Sequence, residues 1–151
     1  MIRPATHDDL AAIVEIIMSA HGRMSYARNT PEGPEVDSVI NLLLDAMDNN
    51  DAELFVADVG GEVIGACGVG ISTSPWNRKV LVGTEAFWHM REDHYGLSGR
   101  KWFLRMLGKM RLWVKGRGAS WFVCVTPPGV TGTYLEKKGF SLVENTYGEV
   151  L

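Results

Sequence analysis

FWHMREDHYGLSGRKWFLRML, residues 87–107, is the stretch on which the fold reading turns. It opens as the end of a strand, Lys79–Met90, rich in valine and aromatics. It passes through a short glycine-containing loop, Gly96–Gly99, and continues as a long helix. Phe103, Leu107, Met110 and Val114 recur on one face of that helix, and Arg117-Gly118 ends it. A helix start has several N–H groups with no intrahelical acceptor and a partial positive charge, so it receives anions without special side chains. Gly96 and Gly99 let backbone come close, the Ser98 hydroxyl is a donor, and Arg100 and Lys101 add charge. The alternative is an ordinary strand-to-helix turn.

Reading outward, the upstream chain begins with a short strand at residues 2–4. A helix starting at Thr6 or His7 follows, with Leu10, Ile13, Val14, Ile17 and Met18 at helical spacing. Residues 21–35 are polar and broken by Gly22, Pro31, Gly33 and Pro34, which predicts a long loop. A second helix spans about Val36–Met47. The period then changes to two: strand Glu53–Asp58, a Gly60-Gly61 turn, strand Val63–Ser72, a turn at Pro75-Trp76-Asn77, and the strand that enters the opening segment. Downstream, Ser120–Thr126 reads as a central strand and Thr131–Lys138 as a short helix stopped by Gly139. Phe140–Val143 and Thr146–Val150 read as a closing strand pair. The order β-α-α-β-β-β-α-β-α-β-β predicts one α/β domain over 1–151 with a mixed sheet and a parallel crossover through the long helix. In such sheets ligands gather where neighbouring strands diverge.

Composition narrows the classes. A chain of 151 residues with 46% hydrophobic residues builds its own core without disulfide or metal. Cys67 and Cys124 lie apart in apolar runs and read as buried thiols. His7, His21, His89 and His94 fit no zinc spacing, so no metal is expected. The five tryptophans read mostly as core or interface packing. There is no signal-peptide pattern and no apolar run of membrane-spanning length, so a cytoplasmic location is expected. Residues 1–62 carry three basic and twelve acidic side chains, whereas residues 91–117 carry eight basic and two acidic. This asymmetry suggests an anionic ligand near the long helix and a cationic one elsewhere. Nucleic-acid binding is not expected, because the basic helix alternates with apolar residues as an amphipathic core helix does.

The element order resembles that of the GNAT superfamily of acyl-CoA-dependent N-acyltransferases. So do two local segments: the strand–turn–helix of residues 87–107, and TYLEKKGF at 133–140, with the tail GFSLVENTYGEVL. The resemblance covers nearly the whole chain and looks nearest to compact acetyltransferase-like proteins encoded by bacteriophages. It implies the GNAT fold, a central, mostly antiparallel sheet with splayed fourth and fifth strands, and acetyl-CoA as cofactor. Its pantetheine arm would pair with strand backbone at Phe87–Met90, including Trp88, His89 and Met90. Its pyrophosphate would rest on Tyr95, Gly96, Leu97, Ser98, Gly99, Arg100 and Lys101. The family's frequent catalytic Tyr falls on Leu135, with Tyr134 one residue earlier, and the glycine pair stands one step off the usual one.

N-acyl transfer requires a base, oxyanion stabilisation and a proton for the leaving thiolate. Glu85, in the strand beside Thr84, Ala86 and Phe87, is the first candidate base, because burial raises a carboxyl pKa into a useful range. His89 is read as sharing its face and is the alternative base. Tyr134 is the candidate acid, or else a packed ring. Tyr95 is a pyrophosphate contact or loop packing. Arg23, Tyr26 and Arg28, in the long loop, are candidate acceptor-site residues. The acceptor is read as a primary amine of a small molecule or protein. A catalytically inactive protein of the same fold, such as a virion component, is the competing reading. A homodimer through Trp102 or Trp113 stays open, and a phage-encoded enzyme would work in the host cytoplasm.

Overall fold

The structure, a computed structural model, describes residues 1–21, 33–125 and 135–142, with only the backbone of Leu97 and Ser98. Its elements are β1 (Ile2–Pro4), α1 (Leu10–His21, entered through a 3-10 turn at His7–Asp9), α2 (Val36–Asp48), β2 (Ala52–Val59) and β3 (Glu62–Ser74). They continue with β4 (Asn77–Met90), α3 (Leu97–Gly116) and β5 (Trp121–Val123). The strands lie in the order β1-β2-β3-β4-β5. Each of the first four runs antiparallel to its neighbour, and β5 returns parallel to β4 after the α3 crossover.

Each face of the sheet buries its own core. One is built by Ile13 and Ile16 of α1, Val39 and Leu43 of α2, and Leu54, Val56 and Ala66 of the sheet. The other joins Cys67, Val69, Trp88 and Met90 to Met106, Leu107, Met110 and Val114 of α3, with Leu135 completing it. Gly60 and Gly61 both have positive φ, 66° and 91°, which gives the β2–β3 hairpin a turn whose twist suits its strands.

The short β1 is fixed to α1 by charge. The Arg3 guanidinium donates to Asp9 Oδ2 at 2.7 Å and Oδ1 at 2.8 Å, and to Asp58 Oδ2 at 3.0 Å. Thr6 adds its N–H and hydroxyl to Asp9 Oδ2 at 2.8 and 3.0 Å. Arg3 first, then Thr6, holds the Asp9 carboxyl down at about 2, against desolvation that pushes it up. A folded pKa below the unfolded one contributes stability above the unfolded value and loses it as pH falls through the folded one. Asp9→Asn should therefore cost about 1–3 kcal/mol at pH 7. In paired thermal melts the gap to the parent should narrow as pH falls from 4 towards 2.

Several expectations shift. Helix α3 begins at Leu97 and not after Gly99, so Gly99 belongs to the first helical turn. β3 and β4 run further than expected and leave only Pro75 and Trp76 between them, with Trp76 93% exposed. Trp121 is also exposed, so two of the five tryptophans are surface residues. Trp102 is half-buried under Lys101 and Arg105, whose charges stand 5.5 and 4.9 Å from its ring centroid, and Arg117 stands 5.7 Å from Trp113. Phe140, Ser141 and Leu142 are not in a strand. Gly139, at φ +85°, does stop the short helical turn at Leu135–Glu136. The rest of the expected short helix, and residues 143–150, lie outside the described residues. Among the described residues no helix is long and apolar enough to cross a membrane.

Candidate functional site

β4 pairs with β5 only through Val82↔Trp121, Gly83↔Phe122 and Thr84↔Val123. Among the described residues no β4–β5 pair lies beyond Thr84, and Glu85 is the first β4 residue past the last pair. Its side chain is buried at 8% exposure, and Oε2 accepts the Val125 N–H at 3.0 Å. That one bond favours the charged form, but desolvation outweighs it and lifts the carboxyl to about 7. Glu85 therefore changes charge near neutrality just past that pair.

The two cysteines stand in the same electrostatic environment. Burial first, then the Glu85 charge, pushes the Cys124 thiol up to about 12 and Cys67 upward as well. Both stay protonated at neutral pH and are poor nucleophiles.

His89 is not beside Glu85. The β3–β4 register shifts between Gly68↔Phe87 and Val69↔Glu85, so Ala86 is an extra residue on β4. A bulge of one residue reverses which face the following side chains take. Glu85 lies across from Val69 on the α3 face. His89 lies across from Ala66, on the α1/α2 face, and stacks on Phe87 at 6.3 Å between ring centroids. The expected shared face assumed an unbroken period of two. Its failure removes His89 as an equivalent of Glu85, and the bulge itself brings Trp88 and Met90 onto Glu85's face.

At the end of β4 the Arg91 N–H donates back to Ile64 O at 2.9 Å, continuing the ladder with β3. Met90's N–H points the other way, to the edge where β5 does not pair among the described residues, and donates to Tyr95 Oη at 3.4 Å. The Tyr95 ring leans on Phe103 of α3 at 5.9 Å, and Trp88 meets the same Phe103 edge-on at 5.1 Å. The Trp88 indole N–H is buried without an acceptor among the described residues.

Gly96 caps α3 with φ +95°, a conformation in which other L-residues are strained, and no side-chain bond caps the helix. The Arg100 N–H makes the first helical bond, to Gly96 O at 3.1 Å. The N–H groups of Leu97, Ser98 and Gly99 precede the first helical bond, so the start of this 20-residue helix offers them no intrahelical acceptor. A Cβ at Gly99 would fall well inside van der Waals contact with the His94 carbonyl oxygen, so the turn holds Gly99 for its lack of a side chain.

The described structure joins Trp88, Met90 and Tyr95 through Phe103 of α3, beside the Gly96–Gly99 turn, while Glu85 stands five residues before Met90 on the same face of β4. Arg100 and Lys101 follow on the first turn, both exposed. Arg23, Tyr26, Arg28 and Tyr134 lie outside the described residues. Leu135, at the position where the resembled family often has Tyr, is buried in the α3-side core at 6% exposure. Sequence reading missed Val125, because its contribution is a backbone N–H, and the bulge, because alanine carries no bulge signature. No cluster able to hold a metal ion occurs among the described residues. A crevice of about 340 Å³ lined by Asp51, Ile71, Thr73, Leu81 and Arg117 lies towards the opposite end of β4 from Met90. Its carboxylate, Asp51, is exposed and accepts from Arg117 at 2.8 Å.

No protein-family model matches the chain, and no curated protein matches it. Solved structures do match over nearly the full length. A transcriptional regulator from Bacillus halodurans C-125 superposes with a TM-score of 0.77 at 17% identity, covering 100% of this chain and 99% of that one. Glucosamine-6-phosphate N-acetyltransferase from Arabidopsis thaliana gives 0.74 at 13% identity, with 99% and 97% covered. A predicted acetyltransferase from Clostridium acetobutylicum, solved with acetyl-CoA, gives 0.70 at 14%, with 100% and 95% covered. These likenesses establish the fold: a mixed α/β GNAT fold with a five-stranded sheet among the described residues.

Proposed function

We propose that the protein is an N-acetyltransferase that moves an acetyl group from acetyl-CoA to a primary amine of a small molecule or protein. The observation that carries this reading is Glu85: a buried carboxyl, raised to about 7, just past the last β4–β5 pair among the described residues. The solved likeness that contains acetyl-CoA supports the choice of donor.

In this reading the acyl-CoA arm lies along the open edge of β4 at Trp88–Met90. Its pyrophosphate meets the N–H groups of Leu97, Ser98 and Gly99, with Arg100 and Lys101 adding charge. Glu85, ionised, removes a proton from the acceptor ammonium or from the attacking amine. The amine nitrogen bonds to the thioester carbon, the C–S bond breaks, and the thiolate takes a proton as CoA leaves. Tyr134 is the candidate donor of that proton. Arg23, Tyr26 and Arg28 are candidate contacts for the acceptor, and the acidic first half of the chain favours a cationic one.

A second reading is favoured by one observation. Leu135 is buried where the resembled family often has its catalytic Tyr, which suits a protein that keeps the fold without turnover. Release of CoA thiol, measured with acetyl-CoA and a panel of polyamines, aminoglycosides and lysine peptides, separates the two. Turnover that depends on the acceptor supports the enzyme. Acetyl-CoA binding without thiol release across the panel supports the inactive relative.

A further inference from the structure

We infer that Tyr95 is a displaceable occupant of the cofactor edge, which acyl-CoA must move aside in order to bind; this rests on the acyl-CoA reading of the cleft. The ladder with β3 fixes the direction of the backbone groups at the end of β4. Because the Arg91 N–H is taken by Ile64 O, the Met90 N–H is turned to the opposite edge of β4, where β5 does not pair among the described residues. An extended ligand carrying amides pairs with such an edge as an added strand does, through its carbonyls. The Met90 donor is engaged by the phenol oxygen of Tyr95 at 3.4 Å.

The phenol therefore stands where a ligand carbonyl would stand. It reaches that point from the loop that precedes α3. The ring is 41% exposed and rests on Phe103 without being enclosed. The next residue, Gly96, has positive φ, and nothing lies within 4 Å of where a side chain would begin there. Trp88, on the same Phe103, keeps a buried indole N–H with no acceptor among the described residues. The edge thus carries one donor held by a replaceable group, and the core beneath it holds a donor with no acceptor among the described residues. Tyr95 sets affinity by competition: it keeps Met90 paired in the empty protein and gives it up to the ligand. This differs from a role in which the phenol holds the pyrophosphate, and the two predict opposite effects of removing the hydroxyl.

Tyr95→Phe keeps the ring on Phe103 and removes only the oxygen. Amide hydrogen exchange at Met90, measured in the ligand-free protein, should be faster in Tyr95→Phe than in the parent. Titration calorimetry with CoA should give binding about two- to tenfold tighter for Tyr95→Phe, since one competing hydrogen bond is removed. With CoA saturating, Met90 exchange should be slow and equal in both proteins. Unchanged Met90 exchange in the ligand-free variant overturns the proposal, as does weaker CoA binding by Tyr95→Phe, which would make the phenol a ligand contact. No CoA binding by either protein removes the acyl-CoA reading and this proposal together. The exchange rates then still report the Tyr95–Met90 contact, so the two failures are distinguishable.

Discussion

Glu85→Gln should lower kcat by about 10²–10⁴-fold, the contribution expected of one positioned general base. It should also abolish the rise in rate with pH. The base must be ionised to act, and the carboxyl is lifted to about 7 by burial against a single backbone bond. Parent activity should therefore climb through pH 7 and level off above it. The same substitution has an opposite effect on stability. A folded pKa above the unfolded value of 4.5 means that the native state binds the extra proton between pH 4.5 and 7. Native stability consequently falls as pH rises through that window, by up to about 3 kcal/mol once the carboxylate is charged. Glutamine carries no such charge. Glu85→Gln should melt higher than the parent at pH 8 and alike at pH 4, while being nearly inactive at both. A variant that is inactive and equally destabilised at every pH would mean that Glu85 is a packing residue.

Gly99→Ala should reduce acetyl-CoA affinity by about 100-fold or more and destabilise the fold by roughly 1–3 kcal/mol. The added methyl meets the His94 carbonyl, which is backbone and cannot rotate away. The first turn of α3 must then shift, and with it the N–H groups proposed to hold the pyrophosphate. Gly96→Ala is the informative companion. Its φ of +95° makes alanine strained, but nothing lies near the added methyl. It should destabilise by a similar order through the backbone alone and leave the α3 start in place, with a smaller loss of affinity. Equal affinity in the parent and Gly99→Ala, read by calorimetry, would detach the phosphate site from this turn.

Much of this was legible in the residues. The change of period near Glu53, the Gly60-Gly61 turn and the apolar face of the long helix lead directly to the observed β2, β3 and α3. Glu85 stood out because a carboxylate among apolar strand residues is expensive to bury and shifted when buried. What escaped the sequence is whatever depends on backbone geometry. The Ala86 bulge reverses the faces of β4, and an alanine in a strand announces nothing. The start of α3 at Leu97 follows from Gly96 being the cap, and either glycine could have filled that role. The return of Tyr95 to Met90 is a tertiary contact set by Phe103, six residues past the start of the next helix. Leu135 was recognised as a departure, but only the packed core explains it: the position faces α3, where a phenol would need a polar partner.

The central claim is that acyl-CoA binds between β4 and β5 with its phosphates on the start of α3. Titrating acetyl-CoA into the ¹⁵N-labelled protein and following assigned amides tests it most directly. Saturable shifts should concentrate at Phe87–Met90 and at Leu97–Arg100, with Val125 moving as Glu85 responds. Shifts confined to the crevice at Asp51, Leu81 and Arg117, or none at millimolar ligand, would contradict it.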